Sequence, residues 1–136
     1  MTEAVIRKSI LLRAAPDKVW AFLTDPDKLA IWFHRPNKPL LDGDYEIVGA
    51  DSGERFMWGK VQVAEPFTRL EYTFEIGPMG GAASLVKWTL TEVAAGTQLS
   101  LEHSGLPQGA EAFDLSLALD KGWEEHMGRM REDLHG

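Results

Sequence analysis

The sequence predicts an α+β fold in which a curved antiparallel sheet of six strands wraps around a long C-terminal helix. Two observations lead to this prediction. Segments with an apolar residue at every second position recur along most of the chain, as in half-buried strands. The C-terminal segment instead spaces its apolar residues three or four apart, as in a helix with one buried face. The simplest way to bury all of these faces is for the sheet to hold the helix on its concave side.

Composition limits the classes of protein to consider. A chain of 136 residues with 44% hydrophobic and 26% charged residues suits a single domain over residues 1–136. With no secretory signal and no apolar run of membrane-spanning length, we expect a cytoplasmic protein without membrane insertion. The absence of cysteine excludes disulfides and thiolate chemistry. A net charge of −7 disfavours nucleic acid as a partner.

The first predicted elements are a strand and two short helices. Residues 5–13 alternate between apolar and polar side chains, although Lys8 interrupts the apolar face. Pro16 and Pro26 each fix a backbone angle that suits the first turn of a helix. One helix is therefore predicted over residues 16–23, and a second begins after Asp25, which serves as its N-cap.

Five further strands follow as an antiparallel meander, and short turns rich in glycine or proline separate them. In the third strand of the chain, the apolar side chains change from one face to the other near Gly59, which predicts a bulge at that glycine. The five strands are predicted around Tyr45 and Ile47 and over residues 54–64, 70–76, 85–93 and 97–104.

The last helix is predicted over about residues 110–134. Phe113 and Leu117 lie outside its apolar stripe, so its first turns are either covered on a second side or belong to a separate short helix. The stripe itself consists of Leu115, Leu119, Trp123, Met127, Met130 and Leu134.

Two glycines inside this helix need an explanation, because each costs roughly 1 kcal/mol relative to alanine. We expect Gly122 to let the helix approach another segment closely beside Trp123, and Gly128 either to act in the same way or to mark a small bend. The alternative is that both glycines only accommodate bulky neighbours in the core.

Several short motifs occur in a recognisable order along the chain: AAPDKVW at 14–20, TDPDKL at 24–29, GKV at 59–61, GT at 96–97 and GW at 122–123. Together they resemble the SRPBCC (START/Bet v 1-like) superfamily, in its branch of homologues of the activator of heat-shock protein 90 ATPase. The resemblance implies a helix-grip fold with a cavity between sheet and helix. Proteins of this fold include ligand carriers, cyclases, hydrolases and co-chaperone domains, so the fold alone does not give the function.

We expect the cavity to bind a small apolar or aromatic molecule without chemical change, because the inward-facing positions are rich in aromatic residues. For any one of these residues, ordinary core packing is the alternative. The predicted ligand-binding residues are Trp32, Phe33, Trp58, Tyr72, Phe74, Trp88, His103, Trp123, His126 and Met127.

An enzyme of the polyketide cyclase/dehydratase type is the alternative function, and it would use the same cavity. His103 and Tyr72 are then the candidate acid and base. The alternative for His103 is a histidine at the cavity rim or hydrogen-bonded to a neighbour. A weaker alternative is an interaction domain for heat-shock protein 90. No conventional catalytic motif is present, so whether the protein is an enzyme stays open.

No metal or other cofactor is expected. The four histidines, His34, His103, His126 and His135, do not have the spacing of metal ligands. The sequence leaves open whether the protein is a monomer or a homodimer.

Overall fold

A computed structural model describes residues 4–49, 53–79 and 81–135. Within these residues, six strands and three α-helices form. Short 3₁₀ turns lie at Gly77–Met79 and Ala110–Ala112. In chain order the elements are β1 (Ile6–Leu12), α1 (Pro16–Thr24), α2 (Pro26–Trp32), β2 (Gly43–Val48), β3 (Arg55–Glu65), β4 (Arg69–Ile76), β5 (Ser84–Val93), β6 (Gly96–Ser104) and α3 (Phe113–His135).

The strands form one antiparallel sheet in the order β1-β6-β5-β4-β3-β2. Strands β2 to β6 pair as a meander, and β1 closes the sheet beside β6. Helix α3 packs against β1 and α2, with Trp123, Met127 and Met130 buried. The predicted α+β helix-grip fold is therefore confirmed, including the two short helices between the first two strands.

The two short helices are joined at Asp25. Its carboxylate accepts a hydrogen bond of 2.9 Å from the backbone N–H of Asp27, so it caps α2 as predicted. The indole N–H of Trp32, at the end of α2, donates to the backbone carbonyl of Phe22 in α1 at 2.7 Å. This bond fixes the place where α2 ends and the chain turns towards the sheet.

The bulge predicted at Gly59 is wrong, because β3 has its bulges at Phe56 and Gln62. Ile47 pairs with Met57 whereas Val48 pairs with Arg55, which leaves Phe56 as an extra residue. On the other side, Val61 pairs with Tyr72 and Val63 with Glu71, which leaves Gln62 as an extra residue. The apolar face of β3 therefore changes sides at Gln62, three residues after the glycine.

Gly59 has a different role, which is to let β4 come close. A Cβ atom at this position would lie 2.0 Å from the backbone oxygen of Thr73. Two hydrogen bonds complete the irregular contact: the hydroxyl of Tyr45 donates to that oxygen at 2.7 Å, and the backbone N–H of Lys60 donates to Thr73 Oγ1 at 2.8 Å. The strand needs glycine here because nothing larger fits.

The start of α3 differs from both predicted alternatives. Phe113 is the first residue of the continuous helix, and Phe113 and Leu117 are 56% and 52% exposed. Within the described part of the chain, neither side chain is covered on a second side, and only the 3₁₀ turn Ala110–Ala112 precedes the helix in place of a separate α-helix.

The close approach expected at Gly122 is also wrong. Among the described residues, a Cβ at Gly122 or at Gly128 would meet no atom within 4 Å outside the helix itself. Both glycines border open space. Gly122 faces a cavity, and Gly128 lies beside a groove next to β1.

Polar contacts hold α3 against β1. Lys8, which interrupts the apolar face of β1, forms an ion pair of 3.1 Å with Asp120. At the C-terminal end of the helix, Nε2 of His135 accepts a 2.8 Å hydrogen bond from the backbone N–H of Arg13. Among residues 4–49, 53–79 and 81–135, no helix has the length and apolar character that crossing a bilayer requires.

We predict that Gly59→Ala lowers the free energy of unfolding by about 1 to 3 kcal/mol, because the new methyl group forces the Thr73 carbonyl away from β3. Gly128→Ala makes the same chemical change in open space, and it should raise stability by up to about 1 kcal/mol through helix propensity. Urea denaturation of both variants measures the difference. Equal stability of the two would contradict the assigned role of Gly59.

Candidate ligand-binding site

Trp123 is the centre of an aromatic cluster between α3 and the sheet. Its ring stacks on Phe33, with centroids 5.3 Å apart and planes within 12°. It meets Trp88 edge to face at 5.5 Å and Phe74 at 6.0 Å. These contacts join the helix to two central strands and to the segment that follows α2. Their offset and edge-to-face geometry is the arrangement that aromatic pairs prefer.

The indole N–H of Trp123 begins a chain of hydrogen bonds inside the core. It donates to Nδ1 of His103 at 3.0 Å, and Nε2 of His103 lies 2.7 Å from the hydroxyl oxygen of Ser84. Indole can only donate, so Nδ1 accepts and the proton of the neutral ring is on Nε2. Ser84 in turn donates to the carbonyl of Phe74 at 2.7 Å. Each polar side-chain atom in this series of hydrogen bonds, from Trp123 to Ser84, therefore has a partner.

His103 is held as a neutral base by this arrangement. It is fully buried, and loss of hydration lowers its pKa to about 4. A proton added to Nδ1 would also face the N–H of Trp123, so two donors would meet. Both ring nitrogens are occupied by protein groups and have no free position for a substrate.

Tyr72 is placed in a similar way. Its hydroxyl oxygen accepts a 3.1 Å hydrogen bond from the indole N–H of Trp88, and the residue is buried. Burial raises the pKa of the Tyr72 hydroxyl well above its ordinary value, and the bond from Trp88 only partly opposes this. Both ring nitrogens of His103 are bonded within the protein, and neither His103 nor Tyr72 lines the cavity at Gly122, so neither catalytic candidate presents an acid or base there in this conformation.

A cavity of about 220 Å³ lies beside the cluster, between α3, the segment after α2 and the ends of β3 and β4. Phe56 is 36% exposed and His34 is half-buried, so the cavity reaches the surface between them. Its lining residues are Phe33, His34, Phe56, Met57, Phe74, Ile76, Ala118, Leu119, Gly122, Trp123 and His126.

Two imidazoles stand at this mouth. The ring centroids of His34 and His126 are 5.5 Å apart, and each ring also packs against Phe33. Burial lowers the pKa of both, and the positive charge of Arg129 lowers both further. For His126, neighbouring His34 also lowers the pKa, while a hydrogen bond to the Trp32 carbonyl and the charge of Glu125 oppose the shift. Both rings are therefore neutral near pH 7.

Four of the ten predicted ligand-binding residues line the cavity: Phe33, Phe74, Trp123 and His126. Five others lie in the core behind it: Trp32, Tyr72, Trp88, His103 and Met127.

The inward orientation predicted for Trp58 is wrong. It lies on the outer face of the sheet, where the guanidinium of Arg55 covers its ring at 4.2 Å. The reason is the position of the bulge: because Gln62 is the residue that changes the face of β3, Met57 and Val61 point inward and Trp58 points outward.

Seven lining residues were not among the predicted ligand-binding residues, and His34 and Phe56 at the mouth are two of them. Phe56 lies on the inner side because it is the extra residue of a bulge, which the alternation of β3 does not reveal. His34 directly follows Phe33 beyond the last turn of α2, and this adjacency was the available signal. Among the described residues, no cluster of three or more histidine and acidic side chains could hold a metal ion.

Comparison with known proteins identifies the family. The family model described as activator of Hsp90 ATPase homolog 1-like protein matches residues 13–134. The chain belongs to this family. The resemblance of the sequence motifs is thereby confirmed. A comparison with curated proteins gave no match.

Solved structures of this fold agree with the assignment. Protein MLL2253 from Mesorhizobium loti is 25% identical, with a TM-score of 0.82 and 95% of each chain covered. DynU16, a putative protein in the dynemicin biosynthetic locus, is 27% identical with a TM-score of 0.78; the match covers 98% of this chain but 48% of DynU16. The chain therefore spans about half of DynU16. The solution structure of the Aha1 dimer from Colwellia psychrerythraea, 18% identical over 96% of each chain, has a TM-score of 0.80 and shows the shared fold.

The buried neutral state of His103 predicts a loss of stability in acid. Its pKa is about 4 in the folded protein and near 6.5 in the unfolded chain, so between these values only the unfolded chain binds the proton. The free energy of unfolding should therefore fall by roughly 3 kcal/mol as the pH is lowered from 7 to 4.

This contribution is measured by urea denaturation across the pH range, with the parent compared with His103→Gln. The variant is less stable at pH 7, but it lacks the titrating group, so its stability should depend less steeply on pH. Parallel pH profiles for the two proteins would contradict the assignment.

Proposed function

We propose that the protein binds a small apolar or aromatic molecule in the cavity between α3 and the sheet. The observation that carries the proposal is the empty space in front of Gly122, walled by aromatic side chains. Helix α3 gives up helix propensity at this position and gains no close packing in return. Space for a ligand is a reason for a glycine there.

The size of the cavity limits the ligand. An apolar cavity of roughly 150 Å³ is enough to bind benzene, so 220 Å³ suits a molecule built on one aromatic ring. Larger depressions on the outer face of the sheet, of about 450 and 470 Å³, include charged side chains such as Arg7, Glu102, Asp44 and Lys60. Both are more open to solvent than the cavity at Gly122, so they enclose a small molecule less.

The place of DynU16 in a biosynthetic locus supports a small-molecule partner. Catalysis of the cyclase or dehydratase type and binding to heat-shock protein 90 stay predictions, since no contact among the described residues favours either. A homodimer, by comparison with the dimer of the Colwellia protein, and a cytoplasmic location also stay predictions.

We predict that Gly122→Leu weakens binding, because the new side chain extends into the cavity without displacing a protein atom at its Cβ. Toluene is the probe, and the change in tryptophan fluorescence on titration measures binding, since Trp123 lines the cavity. The affinity for toluene should fall at least about tenfold in this variant.

Gly128→Leu is the matched control. It replaces a glycine of the same helix, also in open space, but beside the groove next to β1. Both variants gain helix propensity and should unfold at a higher temperature than the parent. Toluene binding that is unchanged in Gly122→Leu, or no saturable binding to the parent protein by any small aromatic probe, would overturn the proposed function.

A further inference from the structure

The polar side chains of the cavity lining are concentrated in one pair of residues, His34 and His126. Nine of the eleven lining residues have apolar side chains, since the one polar side-chain group among these nine, the indole N–H of Trp123, is already bonded to His103. A polar atom on a ligand must therefore meet the two imidazoles or lose its hydrogen bonds on entering. Their chemistry decides which ligands fit.

The tautomer of His126 follows from its neighbours. Nδ1 lies 3.0 Å from the carbonyl oxygen of Trp32 and 3.2 Å from the guanidinium of Arg129. The carbonyl only accepts and the guanidinium only donates, so one nitrogen cannot serve both at once. Arg129 is exposed and has water as a partner, whereas the Trp32 carbonyl is at the end of α2, where no further helical turn supplies an N–H. The proton therefore belongs on Nδ1, which donates to Trp32.

Nε2 of His126 is consequently a hydrogen-bond acceptor. Among the residues that the structure describes, no protein group donates to it, and none bonds to either ring nitrogen of His34. Either neutral tautomer of His34 carries one N–H. Two residues that line the cavity thus carry an acceptor, on His126, and a donor, on His34, that no described residue occupies, and their ring centroids are 5.5 Å apart.

We infer that the ligand is a monocyclic phenol, whose hydroxyl group binds between His126 and His34 while its ring lies in the cavity. The inference rests on the proposed function and names the ligand class of that same site. A hydroxyl group both donates and accepts, so its proton bonds to Nε2 of His126 and its oxygen accepts from His34. An aryl ether lacks the proton. A carboxylate only accepts, and it would meet the lone pair of Nε2.

The charge around the two rings agrees with a neutral ligand. The charged groups that face His126 are Arg129 and Glu125, both on α3, and His34 is its titratable neighbour from the segment after α2. The side chains of β3 and β4 at the cavity are apolar. One cation and one anion on the exposed side of the helix provide no net charge that would select an anionic ligand.

The test compares three probes of similar size, phenol, anisole and toluene, in calorimetric titrations of the parent and of His126→Phe. The parent should bind phenol better than anisole, and the ratio of the two affinities should fall by roughly fivefold in the variant. His126→Gln restores an acceptor near the position of Nε2 and should recover part of the preference for phenol. An unchanged ratio in His126→Phe would overturn the inference.

Two measurements on the parent protein test the inference without any variant, so they do not depend on whether a variant folds. Imidazole ¹⁵N NMR should show the proton of His126 on Nδ1, and phenol should shift the Nε2 resonance while toluene leaves it nearly in place. Burial lowers the pKa of His126 from its ordinary value of 6.5, so phenol affinity should hold near pH 7 and fall only as the pH is lowered below 6.5, where His126 gains a proton and Nε2 becomes a donor; benzoate affinity should rise over the same range.

Each failure has a separate meaning. If toluene, anisole and phenol bind equally well, the proposed function stands and the phenol inference is wrong. If benzoate binds best at pH 7, the site takes an anion and the inference is also wrong. If none of the four probes binds the parent, the proposed function itself fails.

Discussion

The position of Trp123 is the constraint on which the rest of the structure depends. The indole N–H of Trp123 donates to His103, and this bond fixes how far the ring enters the core. The faces and edges of the ring contact Phe33, Phe74 and Trp88, so they set the positions of α3, β4, β5 and the segment after α2 relative to one another. Because indole is only a donor, this one bond also sets the tautomer of His103 and the direction of the bond to Ser84. A polar chain inside an apolar core specifies one arrangement of helix and sheet when all its members are satisfied.

The site exists because β3 is irregular where the other strands are regular. Its two bulges bring Phe56 to the mouth of the cavity and turn Trp58 outward, and the close approach at Gly59 lets Tyr45 bind the backbone of β4. A bulge increases the bend and twist of a strand, so this edge of the sheet can curve away from α3. The cavity opens at that place, while the β1 side is held to the helix by Lys8 and His135.

The sequence was sufficient for the fold and for part of the cavity lining. Helix starts at Pro16 and Pro26 and the alternation of the strands depend on local chemistry, which a sequence contains. Which side chains of β3 point inward depends on which of its residues are left unpaired against β2 and β4. Tertiary contacts decide the positions of these unpaired residues. A parity change shows that a bulge exists without saying where. This is why Trp58 was assigned to the wrong face, why Phe56 was missed, and why His34, which has no periodic neighbour, had no signal beyond its adjacency to Phe33.

The missing side chain at position 122 separates the stability of the core from the volume of the cavity, two properties that are usually linked in small proteins. The bonded core of Trp123, His103 and Ser84 lies behind the cavity, and the space in front of Gly122 touches none of its hydrogen bonds. Substituting alanine, serine or valine there would shorten the cavity step by step and leave that core intact. A single substitution at this position could thus change the volume of the cavity without a second mutation to restore folding.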